Sequence, residues 1–307
     1  MSQGKSLRQR FRRDRFLFLM GLPGLALVLL FHYVPLAGNV IAFKDYRPYL
    51  TIWESPWVGL QNFHVIFDGD PAFLNALRNT LIISLLQIVV VFPVPIAVAL
   101  LLNSLLSERL RRLVQSVLYL PHFMSWVVVV ALFQQLLGNA GMYDTFAEAH
   151  NLPLLHLIGN PHLFLALITT QAVWKDAGWG TIIFLAAISR VDTTLYEAVA
   201  IDGGSRTRQL WHVTLPAIRS VIVLLLILKL GDVLTTGFEQ IVLQQDSVGQ
   251  GSSEVLDTYV YNHGIVDGDF GMAAAVGLVK GVVSLILVLA ANKIAHLFGE
   301  RGIYSSW

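Results

Sequence analysis

The sequence predicts an all-α, polytopic integral membrane protein, and three observations carry that prediction. Of 307 residues, 55% are hydrophobic and only 13% are charged, with a mean hydropathy of +0.63, too apolar for a chain whose whole surface meets water. Six apolar runs reach the length of about 20 residues that crosses a bilayer. Lys and Arg gather in alternate connections, as topology requires.

The runs fall at 16–43, 74–102, 113–137, 163–188, 216–238 and 271–298, between a basic tail at 1–15 and a short tail at 299–307. The first run is long and lacks a small-residue cleavage pattern, so it reads as a retained span and not a removed signal. Lys5, Arg8, Arg10, Arg12, Arg13 and Arg15 precede it. Arg109, Arg111 and Arg112 lie in the second-to-third connection, and Arg190, Arg206, Arg208 and Arg219 in the fourth-to-fifth. The other connections hold only Lys44 and Arg47 and collect acids, so both termini are expected in the cytoplasm.

After the first span, "SPWVGLQNFHVIF" reads as an amphipathic helix on the outer surface, or as support for a docking partner. Pro93, Pro95 and Pro121 interrupt the hydrogen-bond ladder of the second and third spans, with His122 and Ser125 beside the freed turn. In the fourth, "WKDAGWG" breaks the apolar run. Lys175 lies about 18 Å beyond Leu163 on a helical rise, near the midplane. Polar groups at that depth are costly and face a cavity or a partner. Trp174, Lys175, Asp176 and Trp179 are therefore candidates for a translocation path, with mutual neutralisation of Lys175 and Asp176 as the alternative.

The connection at 192–216 is the largest on the cytoplasmic side. "DTTLYEAVAID" has a Thr194/Glu197 capping pattern and an apolar face of Leu195, Ala198 and Val199. Gly203 and Gly204 end that helix, Ser205 can cap a second short one, and Pro216 suits the first turn of the next span. The result is a helical elbow that either packs on a surface, the bilayer included, or merely joins two spans. In the fifth span, Lys229, Asp232 and Thr236 recur at helical spacing and Gln240 continues the stripe. An intrahelical ion pair and a pore role both fit Lys229 and Asp232. Trp126 and Tyr259 join Trp174 and Trp179 as aromatic faces on which a sugar ring could stack.

Other classes lack their signatures. A net charge of +1 gives no reason to expect nucleic acid, and the absence of cysteine excludes disulfides, thiolate metal sites and a cysteine nucleophile. No phosphate loop, HExxH or GxSxG occurs, and the histidines, including the His150 and His156 pair, are scattered. No metal or catalytic residue is expected. The alternative transporter is a self-contained, proton-coupled secondary transporter in which Lys175, Asp176, Lys229 and Asp232 relay protons; it has no need of an elbow.

Glu197-Ala198-Val199, then Asp202-Gly203-Gly204, then "LWHVTLP" resembles the EAA loop of membrane subunits of binding-protein-dependent ABC importers. Val199 and Gly204 stand where the family pattern has alanine, and Val213 where it has isoleucine. Segments such as "HYVPLAGNVIAFKDYRP", "YLPHFMSWVVV", "WKDAGWGTIIFLAAI" and "AVGLVKGVVSLILVLAANKIA" extend the likeness over about 15–305, toward the branch taking up oligosaccharides released from polysaccharides. The resemblance implies a type I importer permease in the bacterial cell membrane. Its implied partners are a second homologous permease, two ATPase subunits that carry the ATP and Mg, and an extracytoplasmic solute-binding protein. It also implies that Glu197, Ala198, Asp202 and Gly203, with Leu215 and Pro216 closing the motif, couple the chain to the ATPase. His122 joins the candidates for substrate contact.

Overall fold

A computed structural model describes residues 15–304 apart from 106, 140, 155, 156 and 301. The lysine and arginines of the tail before Arg15, His156 and the last three residues fall outside them. The longer helices are α1 Arg15–Val28, α2 Pro71–Leu86, α3 Pro93–Ser104, α4 Glu108–Tyr119, α5 Trp126–Leu137, α6 Phe164–Ile188, α7 Thr193–Ile201, α8 Leu215–Gly231, α9 Phe238–Val248 and α10 Phe270–Leu297. Among the described residues there is no β-strand, only one antiparallel bridge between Lys44 and Trp57.

Among the described residues, five helical stretches are long and apolar enough to cross a membrane: Phe18–Phe43, Pro71–Ser104, Trp126–Ala149, Arg206–Gly231 and Phe270–Leu297. The predicted span at 163–188 is a 25-residue helix, α6, but falls outside that set. Its interior carries Gln171, Lys175 and Asp176. The predicted third span, 113–137, is not one helix. Pro121 enters a 3-10 turn at Leu120–Phe123, and Ser125 caps a new helix by accepting the Val128 N–H at 3.4 Å. The predicted fifth span also ends early, at Gly231, because 232–237 is a turn closed by Gly237 at φ +64°.

The chain forms two compact units. One runs up to His64 and includes His263–Leu278; the other holds Val65–Asn262 and resumes at Val279. The segment predicted as an amphipathic helix begins in the first unit as loop and turns helical only in its second half. It pairs backbone to backbone, Val58 N–H to Phe43 O at 3.0 Å and Asp45 N–H to Pro56 O at 3.0 Å, and only Gln61–Phe63 and His64–Phe67 are helical. Asn62 then holds the corner by donating to Ala42 O and Lys44 O at 3.0 and 2.9 Å.

In the second unit α6 is the axis. Phe164 and Ile168 pack with Ile83, Ile241 and Val255 at one end, and Phe184 and Ile188 with Ala99 and Ile218 at the other. The glycines expected to interrupt α6 do not break it. They allow close approach: a Cβ on Gly178 would sit 2.0 Å from Leu118 O, and one on Gly180 would sit 2.8 Å from the Pro95 ring. Thr181 Oγ1 donates to Ala177 O at 2.7 Å and lies 3.3 Å from Pro95 O, tying α6 to α3. The chain end folds back on α10, where Asn292 Oδ1 accepts the Ile303 N–H at 2.7 Å and Glu300 pairs with Arg219 of α8 at 2.9 Å.

Candidate coupling elbow and interior path

The elbow is built by local chemistry. Asp192, in an extended conformation, caps α7 by accepting the Thr194 N–H at 2.9 Å. The predicted Thr194/Glu197 box therefore does not form; an acceptor two residues earlier has taken the first orphan amide. That hydrogen bond, with a second from the Thr194 side chain, holds the Asp192 carboxyl below the usual carboxylate range. Gly203 ends α7 at φ +71°, where a Cβ is unfavourable, and the Gly204 N–H returns to Val199 O at 2.8 Å.

Ser205 caps the second arm as predicted, accepting the Arg208 N–H at 3.4 Å. This arm is not a separate short helix. Arg206–Gln209 widens into a π-turn at Leu210–Thr214 and runs on into α8. The wide turn suits Pro216, which has no N–H to give. Gln209 Nε2 donates to Tyr196 O at 3.1 Å, and the Tyr196 and Thr214 hydroxyls meet at 3.1 Å, so the arms are fastened together. Glu197, Ala198, Asp202, Gly203 and Pro216 are exposed, and Leu215 is half-buried. Among them stand Ile201, 86% exposed, and Trp211, 62% exposed. Sequence reasoning passed over both, although an apolar residue on the polar rim of a loop was the available signal.

Inside the second unit, the structure brings together His122, Asp176 and Trp179. His122 stacks on Trp179 at 4.6 Å and 6°, and its Nδ1 lies 3.1 Å from Asp176 Oδ1. Phe123, not anticipated, meets the Trp179 ring edge-on at 6.2 Å. Asp176 is the middle residue of α6, yet its side chain is 46% exposed. Lys175 points the other way. It is 8% exposed, donates to His122 O and Met124 O at 2.8 and 2.6 Å, and lies 5.5 Å over the Trp126 ring. It holds the turn between α4 and α5 and does not neutralise Asp176. Trp174 packs edge-on against Phe133.

The predicted stripe from Lys229 to Gln240 is dispersed by the turn at 232–237. Thr236 is buried, donating its N–H to Asp257 and sharing a hydroxyl contact with Ser84 at 2.9 Å. Gln240 is buried in an amide cluster with Gln171 and Gln244, where its Nε2 reaches Gln171 Oε1 at 2.8 Å. Tyr259 is a core residue edge-on to Phe73. Lys229 and Asp232 make no ion pair of bonding length; they act on each other only through space. Lys280 pairs instead with Asp257. Sequence reasoning missed that pair, though a lysine deep in a 28-residue apolar helix was a visible sign. Among the described residues no three His, Asp or Glu side chains converge as a metal site.

Comparison with known proteins gives this geometry its context. Residues 90–299 match the family described as "Binding-protein-dependent transport system inner membrane component". The polygalacturonan/rhamnogalacturonan transport system permease protein YteP of Bacillus subtilis (strain 168) is 46% identical over 301 residues, 98% of this chain and 94% of that protein. Protein LplB of the same organism is 42% identical over 303 residues, 98% and 95% of the two chains. Among solved structures, a chain of a bacterial alginate ABC transporter, in complex with its alginate pentasaccharide-bound periplasmic protein, superposes with a TM-score of 0.88. That chain is 32% identical, with 97% of this chain and 100% of that one covered. With a family match over more than half its length and near-complete alignment to a permease, this chain belongs to the inner-membrane components of binding-protein-dependent transport systems and is itself a permease.

Proposed function

We propose that this permease works in an ATP-driven importer of oligosaccharides, as one of two related permeases that receive sugar from an extracytoplasmic binding protein. The observation that carries this is the elbow, a rigid, two-armed corner that exposes Ile201 and Trp211 beside Glu197, Ala198, Asp202 and Gly203. Exposed apolar side chains ringed by charge mark a surface built for a partner. The partner is a separate ATPase subunit, which holds ATP and Mg; this chain catalyses no chemistry. Both termini and the elbow lie on the cytoplasmic side, in keeping with their arginines. The sugar reading is supported by the relatives, whose names concern polygalacturonan, rhamnogalacturonan and alginate.

The translocation path passes Asp176. A carboxylate half-exposed at the middle of a spanning helix faces a watery passage or a partner subunit and not lipid. Trp179 and Phe123 offer faces on which the apolar side of a sugar ring can stack, and Asp176 accepts from its hydroxyls. A proton relay through Lys175 finds no support, since its ammonium donates to carbonyls.

The test is reconstitution of the chain with its partner permease, ATPase and binding protein. Glu197→Lys or Gly203→Val is expected to lower ATPase stimulation by loaded binding protein on the order of tenfold, with the complex otherwise intact. Unimpaired stimulation in both variants rejects the elbow as the coupling element.

A further inference from the structure

Two lysines of the second unit lie deep in helices α6 and α8, and their ammonium groups are placed differently. Lys175 has its donors taken by the His122 and Met124 carbonyls and its charge over the Trp126 ring. Lys229, in the last turn of α8, makes no hydrogen bond or ion pair among the described residues. It is half-buried, and it lies 13 residues beyond Pro216, or about 20 Å along the helix. Asp232 and Asp176 attract it without touching it. Two nearby interior charges are engaged elsewhere, Asp176 with His122 and Lys280 with Asp257.

A partly desolvated ammonium without a partner is costly to keep unless something arrives to pair with it. One local role needs no ligand: a cation in the last turn of a helix complements the helix dipole. That role is indifferent to the charge of a passing solute. The packing of α8 on α6, through Ile218, Ile222 and Leu225 against Phe184 and Ile188, and the attraction of Asp176, whose carboxylate meets the His122 ring stacked on Trp179, give Lys229 a second role. We propose that Lys229 is the specificity-determining residue of the path, pairing with the carboxylate of a uronic-acid oligosaccharide as its ring passes the Trp179 face. Asp176 and Asp232 compete for the same ammonium, so the incoming carboxylate is held long enough to be recognised and is then released, as a conducting site requires. Lys175, whose donors are occupied, has no part in this.

The inference rests on the oligosaccharide reading, and the experiment separates the two. Binding of trigalacturonate, its methyl ester and maltotriose is measured on the purified permease–ATPase complex by tryptophan fluorescence. The binding protein is left out so that its selectivity does not enter. Wild type is expected to favour the acid over the ester by about tenfold or more. Lys229→Met should abolish that preference while leaving ester affinity in place, and Lys229→Arg should keep it. Retained ester affinity reports that the variant is folded; if methionine is not tolerated, Lys229→Gln removes the charge but keeps a polar head and gives the same readout. A wild type indifferent between acid and ester, or a Lys229→Met variant that still discriminates, overturns the proposal while sugar transport stands. A wild type that binds none of the three overturns the sugar reading with it.

Discussion

At the scale of single residues, the elbow holds a compensated pair. Val199 and Gly204 each depart from alanine in the loop pattern, one larger and one smaller. A Cβ on Gly204 would meet Val199 Cγ1 at 2.4 Å and Val199 O at 2.8 Å, so the larger side chain occupies the space the missing methyl leaves. Gly204→Ala is expected to destabilise the elbow by about 1–3 kcal/mol through overpacking. Val199→Ala in the same chain should recover the part due to Cγ1, leaving the contact with the carbonyl. A double-mutant cycle on thermal unfolding of the detergent-solubilised protein measures that coupling, and strict additivity rejects it. Lys175→Met should act on stability and not on selectivity. It leaves the His122 and Met124 carbonyls without their charged donor, a loss of about 1.5–3 kcal/mol, while the acid-to-ester preference of the complex stays unchanged. The direction of Lys175 was not legible in the sequence. Adjacent Lys175 and Asp176 point about 100° apart on a helix, so their neighbours are chosen by tertiary packing.

At the scale of elements, local punctuation was readable and long-range competition was not. Gly203 and Ser205 announce the elbow because left-handed backbone and N-capping act within a turn. The cap itself was placed two residues late, since Asp192 and Thr194 are both competent and only geometry selects Asp192. The cap should be sensitive to acid. Asp192 is held below its ordinary range, so the folded state favours its ionised form; the stabilisation is present at neutral pH and is lost as pH falls through the carboxylate range. Hydrogen exchange at the first amides of α7, taken relative to the helix interior, should therefore stay unchanged from neutral pH down to about pH 5 and quicken as pH falls below about 4. Asp192→Asn should remove the pH dependence. The end of α8 was misread because Lys229, Asp232 and Thr236 have helical spacing, while the turn that breaks it is secured from far along the chain by Asp257 and Ser84. Glycines misled in the opposite sense. Gly178 and Gly180 look like breakers, but a helix tolerates them where a neighbouring backbone needs the room.

At the scale of the whole molecule, composition alone established the class, because an apolar surface has no stable alternative to lipid or protein. Counting spans was harder. The helix at the centre of the second unit has the length to cross and lacks the apolarity, which is what a helix lining a polar route needs. Orientation is testable without background, since the chain has no native cysteine. Single cysteines at Ser205 and at His150 should label from opposite sides of the membrane with an impermeant maleimide, Ser205 from the cytoplasmic side. Labelling of both from one side rejects the topology.

The unbroken run of α6 has a mechanical meaning. It carries Asp176 at its middle and reaches the elbow's Asp192 cap within four residues of its end, with the backbone of α4 pressed against Gly178. Under the coupling proposed above, a helix without a hinge carries a displacement of the elbow to Asp176 as one body. The break in helical run lies elsewhere, at the 3-10 turn before α5 that Lys175 fastens. Under that proposal the stroke falls to α6 and the pivot to the turn beside it.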